Sequence, residues 1–282
     1  MRTAIVTDST SDIPEAAAAE YQIYIIPTIL VIENESIPDD GTFSREKYYQ
    51  QLPEMKTAPT TAAPPIGMFE NLYRSLFEQG FDQIVSIHVS SQLSGVYNSA
   101  SAAAQAFNQR VTVVDSQQLS MGLGFQAINA AVYAKRGETL DTILGEIERT
   151  RQATRLVAML DTLEYVRRSG RVSWTRAVIG NVLRLKAFID VKDGRVLRLG
   201  EARTRKKAME RLREILFSNM PIAQLAILHT NASAEAEQLA ADLALPKSLS
   251  PYIVNITPVI GTHVGPNALG FTAIRAAQET SP

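Results

Sequence analysis

The chain has 282 residues, of which 45% are hydrophobic and 20% charged, and its formal net charge is −1. That length accommodates two domains or one large one, with a core that needs no covalent staples. The charge balance offers no global field for nucleic acid or acidic membranes, the absence of cysteine excludes disulfides and thiolate chemistry, and no apolar run approaches the roughly 18 residues of a membrane span.

The first apolar run, Ala4–Val6, reads as a buried strand. The chain meets Asp8 almost at once, unlike a secretory leader, so a cytoplasmic setting is expected. The strand breaks into Thr7-Asp8-Ser9-Thr10-Ser11-Asp12, a loop dense in hydroxyls and carboxylates, followed by Pro14 and an Ala-rich helix to Glu20. In open α/β sheets ligands sit beyond the carboxyl ends of the strands, which puts Asp8 and Ser9 where a small polar group would be gripped. A second β-branched run, Ile23–Val31, is interrupted by Pro27. A helix over Ser44–Leu52 then leads into TAPTTAAPP at Thr57–Pro65, whose prolines cannot continue a helix and predict a loop. Thr60 and Thr61 in that loop serve either the loop itself or a ligand.

A helix over Gly67–Glu78 precedes a strand at Ile84–Val89, after which a hydroxyl-rich turn opens a helix at Ser94-Gly95. Free N–H groups at a helix start attract anions, and Gly95 lets a ligand approach the backbone. Ser94 adds a donor hydroxyl, or equally serves only as the cap of its own helix. The next strand is Val111–Asp115, and the helix Gly122–Lys135 begins with GLGFQA, a G-x-G-x-x-A match. Dinucleotide binding there is rejected, because Ser116–Met121 intervene where a tight turn is required. The sequence holds no HExxH, no metal-type Cys/His cluster and no G-x-S-x-G elbow.

After a helix over Leu140–Ala153 and a strand at Leu156–Leu160 the chain changes character. Before about residue 155, strands alternate with helical patterns, predicting a mainly parallel sheet. Beyond it come the charged stretch Arg167-Arg168-Ser169-Gly170-Arg171, a helix over Thr175–Leu185, and a hairpin over Lys186–Leu199 turning at Lys192-Asp193-Gly194. Arg203-Thr204-Arg205-Lys206-Lys207 opens a helix to Phe217. Such a run is either a solvated face or an anion site, since cations oppose the dipole at a helix N-terminus. A strand at Leu225–His229, a helix over Ala234–Leu243 and a strand at Tyr252–Ile256 follow. Gly261–Gly270, GTHVGPNALG, reads as a tight, backbone-exposing loop, with a last helix after Pro266. His263 in it is a satisfied loop histidine or a donor to an anion near a helix start. His88 and His229 each end an apolar strand and read as structural.

In order, TDSTSDIP at Thr7–Pro14, SGVYNSA at Ser94–Ala100, VVDS at Val113–Ser116, LEYVRRSGRVS at Leu163–Ser173, RTRKKA at Arg203–Ala208 and the closing GTHVGPNALG resemble the DegV family of fatty-acid-binding proteins over nearly the whole chain. The resemblance implies a two-domain α/β fold. An N-terminal three-layer domain with a parallel sheet would span 1–155, a C-terminal α+β or α/β domain 156–282, and the ligand would lie between them. By position it implies carboxylate contacts from Thr61, Ser94, Gly95 and His263, head-group or phosphate orientation by Arg203 and Arg205, and a supporting first loop at Asp8 and Ser9.

The resemblance also implies a lipid-binding protein rather than an enzyme, with no catalytic residue, metal or cofactor of its own. Its partners would be a long-chain fatty acid and a separate ATP-binding fatty acid kinase subunit, with transient membrane contact and no nucleic acid. The kinase would convert the presented carboxylate to an acyl-phosphate for phospholipid metabolism. The other readings are a stand-alone lipid carrier or sensor, and a small-molecule transferase or hydrolase using His263 with a nearby serine. The chain departs from the family pattern where Thr61–Pro65 reads TAAPP instead of T-S-Q-P-S, though Thr61 survives. Asn267 stands where glycine is usual, and asparagine tolerates left-handed backbone. Lys186-Ala187-Phe188 replaces a common Lys-Pro-Ile.

Overall fold

The computed structural model describes residues 1–177, 185–243, 245–246 and 249–276. The chain opens with β1 (Thr3–Asp8), a 3-10 turn at Ser9–Ser11, α1 (Glu15–Tyr21), β2 (Ile23–Ile26), β3 (Ile29–Ile32) and β4 (Glu35–Pro38). Next come α2 (Arg45–Gln51), β5 (Thr60–Ala62), α3 (Ile66–Glu78), β6 (Gln83–His88), α4 (Val96–Ala104), β7 (Val111–Asp115), α5 (Met121–Lys135) and α6 (Leu140–Ala153). The remainder holds β8 (Thr154–Leu160), α7 (Glu164–Ser169), β9 (Lys186–Lys192), β10 (Arg195–Ala202), α8 (Arg205–Phe217), β11 (Ile222–His229), α9 (Ser233–Ala241), β12 (Tyr252–Asn255), α10 (Pro258–Val264) and β13 (Leu269–Arg275).

These strands form three sheets. The first is parallel, in the order β2-β1-β6-β7, with Ile5 beside both Ile23 and Val85. It is the sheet the alternation predicts, and β1 at its centre is buried along its whole length. The second is mixed, in the order β10-β9-β8-β13-β11-β12, where only β11 and β12 run parallel. The third is a small antiparallel sheet, β4-β3-β5. The protein is thus a mixed α/β fold, and its second sheet begins at Thr154.

Three local expectations are corrected. The single run Ile23–Val31 is two strands in two sheets: Pro27 has no N–H for a ladder, and the Thr28 N–H goes instead to Ser9 Oγ at 3.1 Å. The predicted loop at Thr57–Pro65 contains β5, which pairs Thr61 with Leu30. The helix expected after Pro266 is instead β13, held antiparallel between β8 and β11. A strand buried on both faces loses the alternation that separates it from a helix. The hairpin is as expected, with Asp193 at φ 49° and Gly194 at φ 77° in its turn. The helix expected over Thr175–Leu185 begins in a 3-10 turn, Ser173–Ala177, and residues 178–184 lie outside the described residues.

Alternation along the mixed sheet divides its residues between two cores. Val157, Met159, Phe188, Leu225 and Ile227 pack with α8 and α9 residues such as Leu212 and Leu239. Leu156, Val191, Ala226 and Leu228 face the other way, into the core shared with the parallel sheet. Helices α5 and α6 pack together and touch both β1 and β13, so they lie between the two large sheets. Among the described residues no helix is long and apolar enough to cross a membrane.

Candidate functional site

A cavity of about 720 Å³ opens against the inner face of the mixed sheet. Its apolar wall is built from Leu156, Ala158 and Leu160 of β8, Ile189 and Val191 of β9, and Leu228 of β11, with Val259 and Ile260 of α10 across from them. The period of two in β8 produces this wall, since every second residue points inward. Pockets that hold small molecules measure roughly 300–1,000 Å³ and are mostly apolar with a few placed polar groups. Here several of those groups make one corner, and others, Ser120 and His229 among them, line the cavity elsewhere.

Thr61 and His263 meet at that corner, with Thr61 Oγ1 2.9 Å from His263 Nε2. Thr61 comes from β5 and His263 from the last turn of α10, not from the start of a helix as the sequence implied. A helix C-terminus favours a cation. Burial outweighs it: desolvation, assisted by the Arg171 guanidinium, pushes the imidazole down to about 4. The ring is therefore neutral near pH 7, with one donor and one acceptor nitrogen. Its Nδ1 is buried and has no hydrogen-bond partner among the described residues.

Ser94 and Gly95 complete the corner and line the cavity. Gly95 is the N-cap of α4 and the helix start has no side-chain cap, so the capping reading of Ser94 is overturned. The Ser94 hydroxyl is left for another partner. A Cβ on Gly95 would lie 3.8 Å from Ala63, two residues past Thr61, which brings the α4 start and the β5 end together.

The other expected residues stand elsewhere. Asp8 and Ser9 do not line the cavity but hold residues that do. The fully buried Asp8 carboxylate accepts from Thr10 N at 3.1 Å, Val89 N at 3.1 Å, His88 Nδ1 at 3.0 Å and the Thr10 hydroxyl. His88 continues to Ser86 Oγ at 2.7 Å, which accepts from Tyr73 at 2.8 Å, so this histidine is structural. Ser9 Oγ meets Thr28 Oγ1 at 2.7 Å. The residues so held, Thr10, Thr28 and Val89, are the ones that line the cavity.

Arg203 is exposed and Arg205 is half-buried, and neither lines the cavity. Arg205 pairs with Glu235 and with Asp161 at 3.4 Å, and donates to the Asn267 carbonyl at 2.6 Å. It pins the turn that follows α10, where Asn267 sits at φ 60°, the left-handed backbone expected of it. Among the described residues the cation that does line the cavity is Arg171, which sequence reasoning treated only as part of a charged run. The signal was local: α7 ends on Gly170 at φ 68°, and the exposed residue after it lines the cavity.

The glycines of GTHVGPNALG serve close packing rather than an open loop. A Cβ on Gly261 would overlap the buried Tyr49 ring, and Gly265, at φ 80°, lies against Tyr165. Tyr49 in turn donates to the Ile256 carbonyl at 2.9 Å, tying α2 to the start of α10. A second buried anchor is Asp12, which accepts from Thr257 N at 2.7 Å, Ser120 Oγ at 2.7 Å and Arg45 at 3.0 Å. Desolvation raises its carboxyl to about 6 despite Arg45.

Fold and cavity together define a class: a mixed α/β protein with an apolar slot that has a polar corner of hydroxyls and a neutral imidazole. The family model for DegV, described as "Uncharacterised protein, DegV family", matches residues 2–276. The DegV protein of Bacillus subtilis is 33% identical over 278 residues, covering 96% of this chain and 98% of that one. A DegV domain-containing protein of Listeria monocytogenes is 32% identical over 274 residues, covering 95% and 97%. Among solved structures, a fatty-acid-binding DegV family protein from Thermus thermophilus superposes with a TM-score of 0.88 at 32% identity, covering 98% of this chain and all of that one. The B. subtilis DegV structure, described as a fatty acid binding protein, gives 0.86 at 32% over the same shares. The chain belongs to the DegV family.

Proposed function

We propose that the protein binds a long-chain fatty acid, with the carboxylate at Thr61, Ser94, Gly95 and His263 and the tail in the apolar cavity. The observation that carries this reading is an apolar wall in the same cavity as a polar corner where Thr61 meets His263. A carboxylate leaves water only when charge-assisted hydrogen bonds replace its hydration, and two hydroxyls, helix-start amides and an imidazole N–H supply them. Each buried methylene is worth about 0.8 kcal/mol, so a tail of roughly fourteen contributes on the order of 10 kcal/mol before the entropy of binding is subtracted.

In this reading the chain is the lipid-binding subunit of a fatty acid kinase. It presents the carboxylate to a separate ATP-binding subunit, in the cytoplasm, for conversion to an acyl-phosphate. Arg171 is exposed and lines the cavity, and its positive charge would neutralise the arriving phosphate. Arg203 lies farther out on the exposed surface, as a contact for the partner. The two domains would divide near residue 155, with the ligand between them. Mass spectrometry of ligand released from protein purified without added lipid tests the first part: a long-chain fatty acid is expected, and its absence together with no binding of added fatty acid overturns the reading. Acyl-phosphate formation on adding a kinase subunit and ATP tests the second. Fatty acid bound but never phosphorylated would make the protein a carrier.

A further inference from the structure

His229 is a polar residue of the cavity lining that belongs to neither the corner nor its support. His229 ends β11, is 6% exposed, and lines the cavity beside Leu228 and Ile256. Its Nδ1 accepts the Ala232 N–H at 3.2 Å. That bond sets the tautomer, because a neutral imidazole that accepts at Nδ1 carries its proton at Nε2. Burial lowers this histidine's affinity for a second proton, so the neutral form holds. Nε2 is on the opposite side of the ring from Ala232 and has no hydrogen-bond partner among the described residues. A structural histidine would have both nitrogens engaged, so the sequence reading of His229 accounts for only one of them.

The same end of the cavity carries an acceptor. Ile256 N donates to the His229 carbonyl at 2.9 Å, and the next residue, Thr257, donates through N to Asp12. The other Asp12 oxygen takes the hydroxyl proton of Ser120, which also lines the cavity. With its proton committed to Asp12, Ser120 Oγ can only accept from a ligand. Donor and acceptor thus stand near the start of α10, while the carboxylate corner stands at its end. His263 lies five residues past Pro258, the first residue of α10, about 7.5 Å along the helix at 1.5 Å per residue. That distance falls on the body of an acyl chain, not on its head.

We propose that His229 and Ser120 form a second polar subsite that recognises a hydroxyl on the middle of the acyl chain. His229 Nε2–H donates to the hydroxyl oxygen, and the hydroxyl hydrogen goes to Ser120 Oγ. The ligand class is the mid-chain hydroxy fatty acid. This rests on the fatty-acid reading of the same cavity. An apolar pocket without such groups would reject a hydroxylated chain, because burying an unpaired hydroxyl is costly.

Competitive displacement of a fluorescent fatty acid by stearic acid and by a mid-chain hydroxystearic acid gives an affinity ratio for each protein. In the wild-type protein the hydroxy acid binds at least as well as stearic acid. His229→Phe removes both ring nitrogens and lowers the hydroxy-to-plain ratio by roughly tenfold, the equivalent of one hydrogen bond. His229→Asn keeps an acceptor for Ala232 but no longer reaches the cavity, and lowers the ratio likewise. His229→Gln retains a donor at the Nε2 position and keeps the ratio. An equal ratio in all four proteins overturns the subsite, as does a wild-type protein that binds stearic acid but excludes the hydroxy acid. If the wild-type protein binds neither acid, the fatty-acid reading falls as well, so the two failures are distinguishable. Because the Asn variant preserves the turn at Ala232, a folding defect in the Phe variant does not shield the proposal.

Discussion

Thr61 Oγ1 and His263 Nε2 lie 2.9 Å apart across 202 residues of chain, joining the edge of the three-stranded sheet to the last turn of α10. This contact assembles the polar corner. In the proposed reading a carboxylate there would meet a hydroxyl and an imidazole that already orient each other, so little ordering would remain to be done on binding.

Thr61→Val preserves shape while removing the hydroxyl, and Ser94→Ala does the same on the facing helix start. Hydrogen bonds to a charged group are worth about 1.5–3 kcal/mol, so each change is expected to weaken fatty acid binding by roughly 10- to 100-fold. Displacement titration measures this, with thermal unfolding as the check that the fold survives. Losses below about threefold for both would move the carboxylate elsewhere.

His263 titrates at about 4 in the free protein, below its ordinary 6.5. A depressed histidine contributes stability that is fully present above pH 6.5 and is lost as pH falls through 4. A bound carboxylate reverses part of that shift by favouring the imidazolium. Fatty acid binding is therefore expected to take up protons at pH 5, strengthening by at most about tenfold per pH unit. Calorimetry in buffers of different ionisation enthalpy reads the proton count, and His263→Gln abolishes the uptake.

Arg171 is the second cause of that depression, after burial. Arg171→Ala is expected to raise the His263 titration midpoint, visible in the ring proton shifts by NMR. An unchanged midpoint would mean that the guanidinium does not bear on the corner.

Gly261→Ala forces a methyl into the Tyr49 ring. Overpacking of a closed core costs about 1–3 kcal/mol. A lowered melting temperature is expected, together with weaker ligand binding, because Tyr49 positions the start of the helix that carries His263.

Asp8→Asn replaces an all-acceptor carboxylate that serves four donors. The new NH₂ faces at least one of them, and the loss is expected to exceed about 2 kcal/mol in chemical denaturation. His88 and Val89 would then lose their common anchor.

Local chemistry made much of this molecule legible in the chain. Alternating strand and helix patterns gave the parallel sheet and Asp193-Gly194 gave the hairpin turn, because periodicity and turn preference act over a few residues, whereas Thr61, Ser94 and His263 were open alternatives that only the family resemblance joined. Tertiary structure alone decided the rest. It made Leu269–Arg275 a strand by burying both of its faces, and it engaged Arg205 with Glu235 and Asp161 while bringing Arg171 to the cavity lining. It also neutralised His263, and left one nitrogen of His229 without a partner among the described residues. Burial, charge proximity and long-range pairing depend on what lies across the cavity, and neighbouring residues in the chain do not encode that.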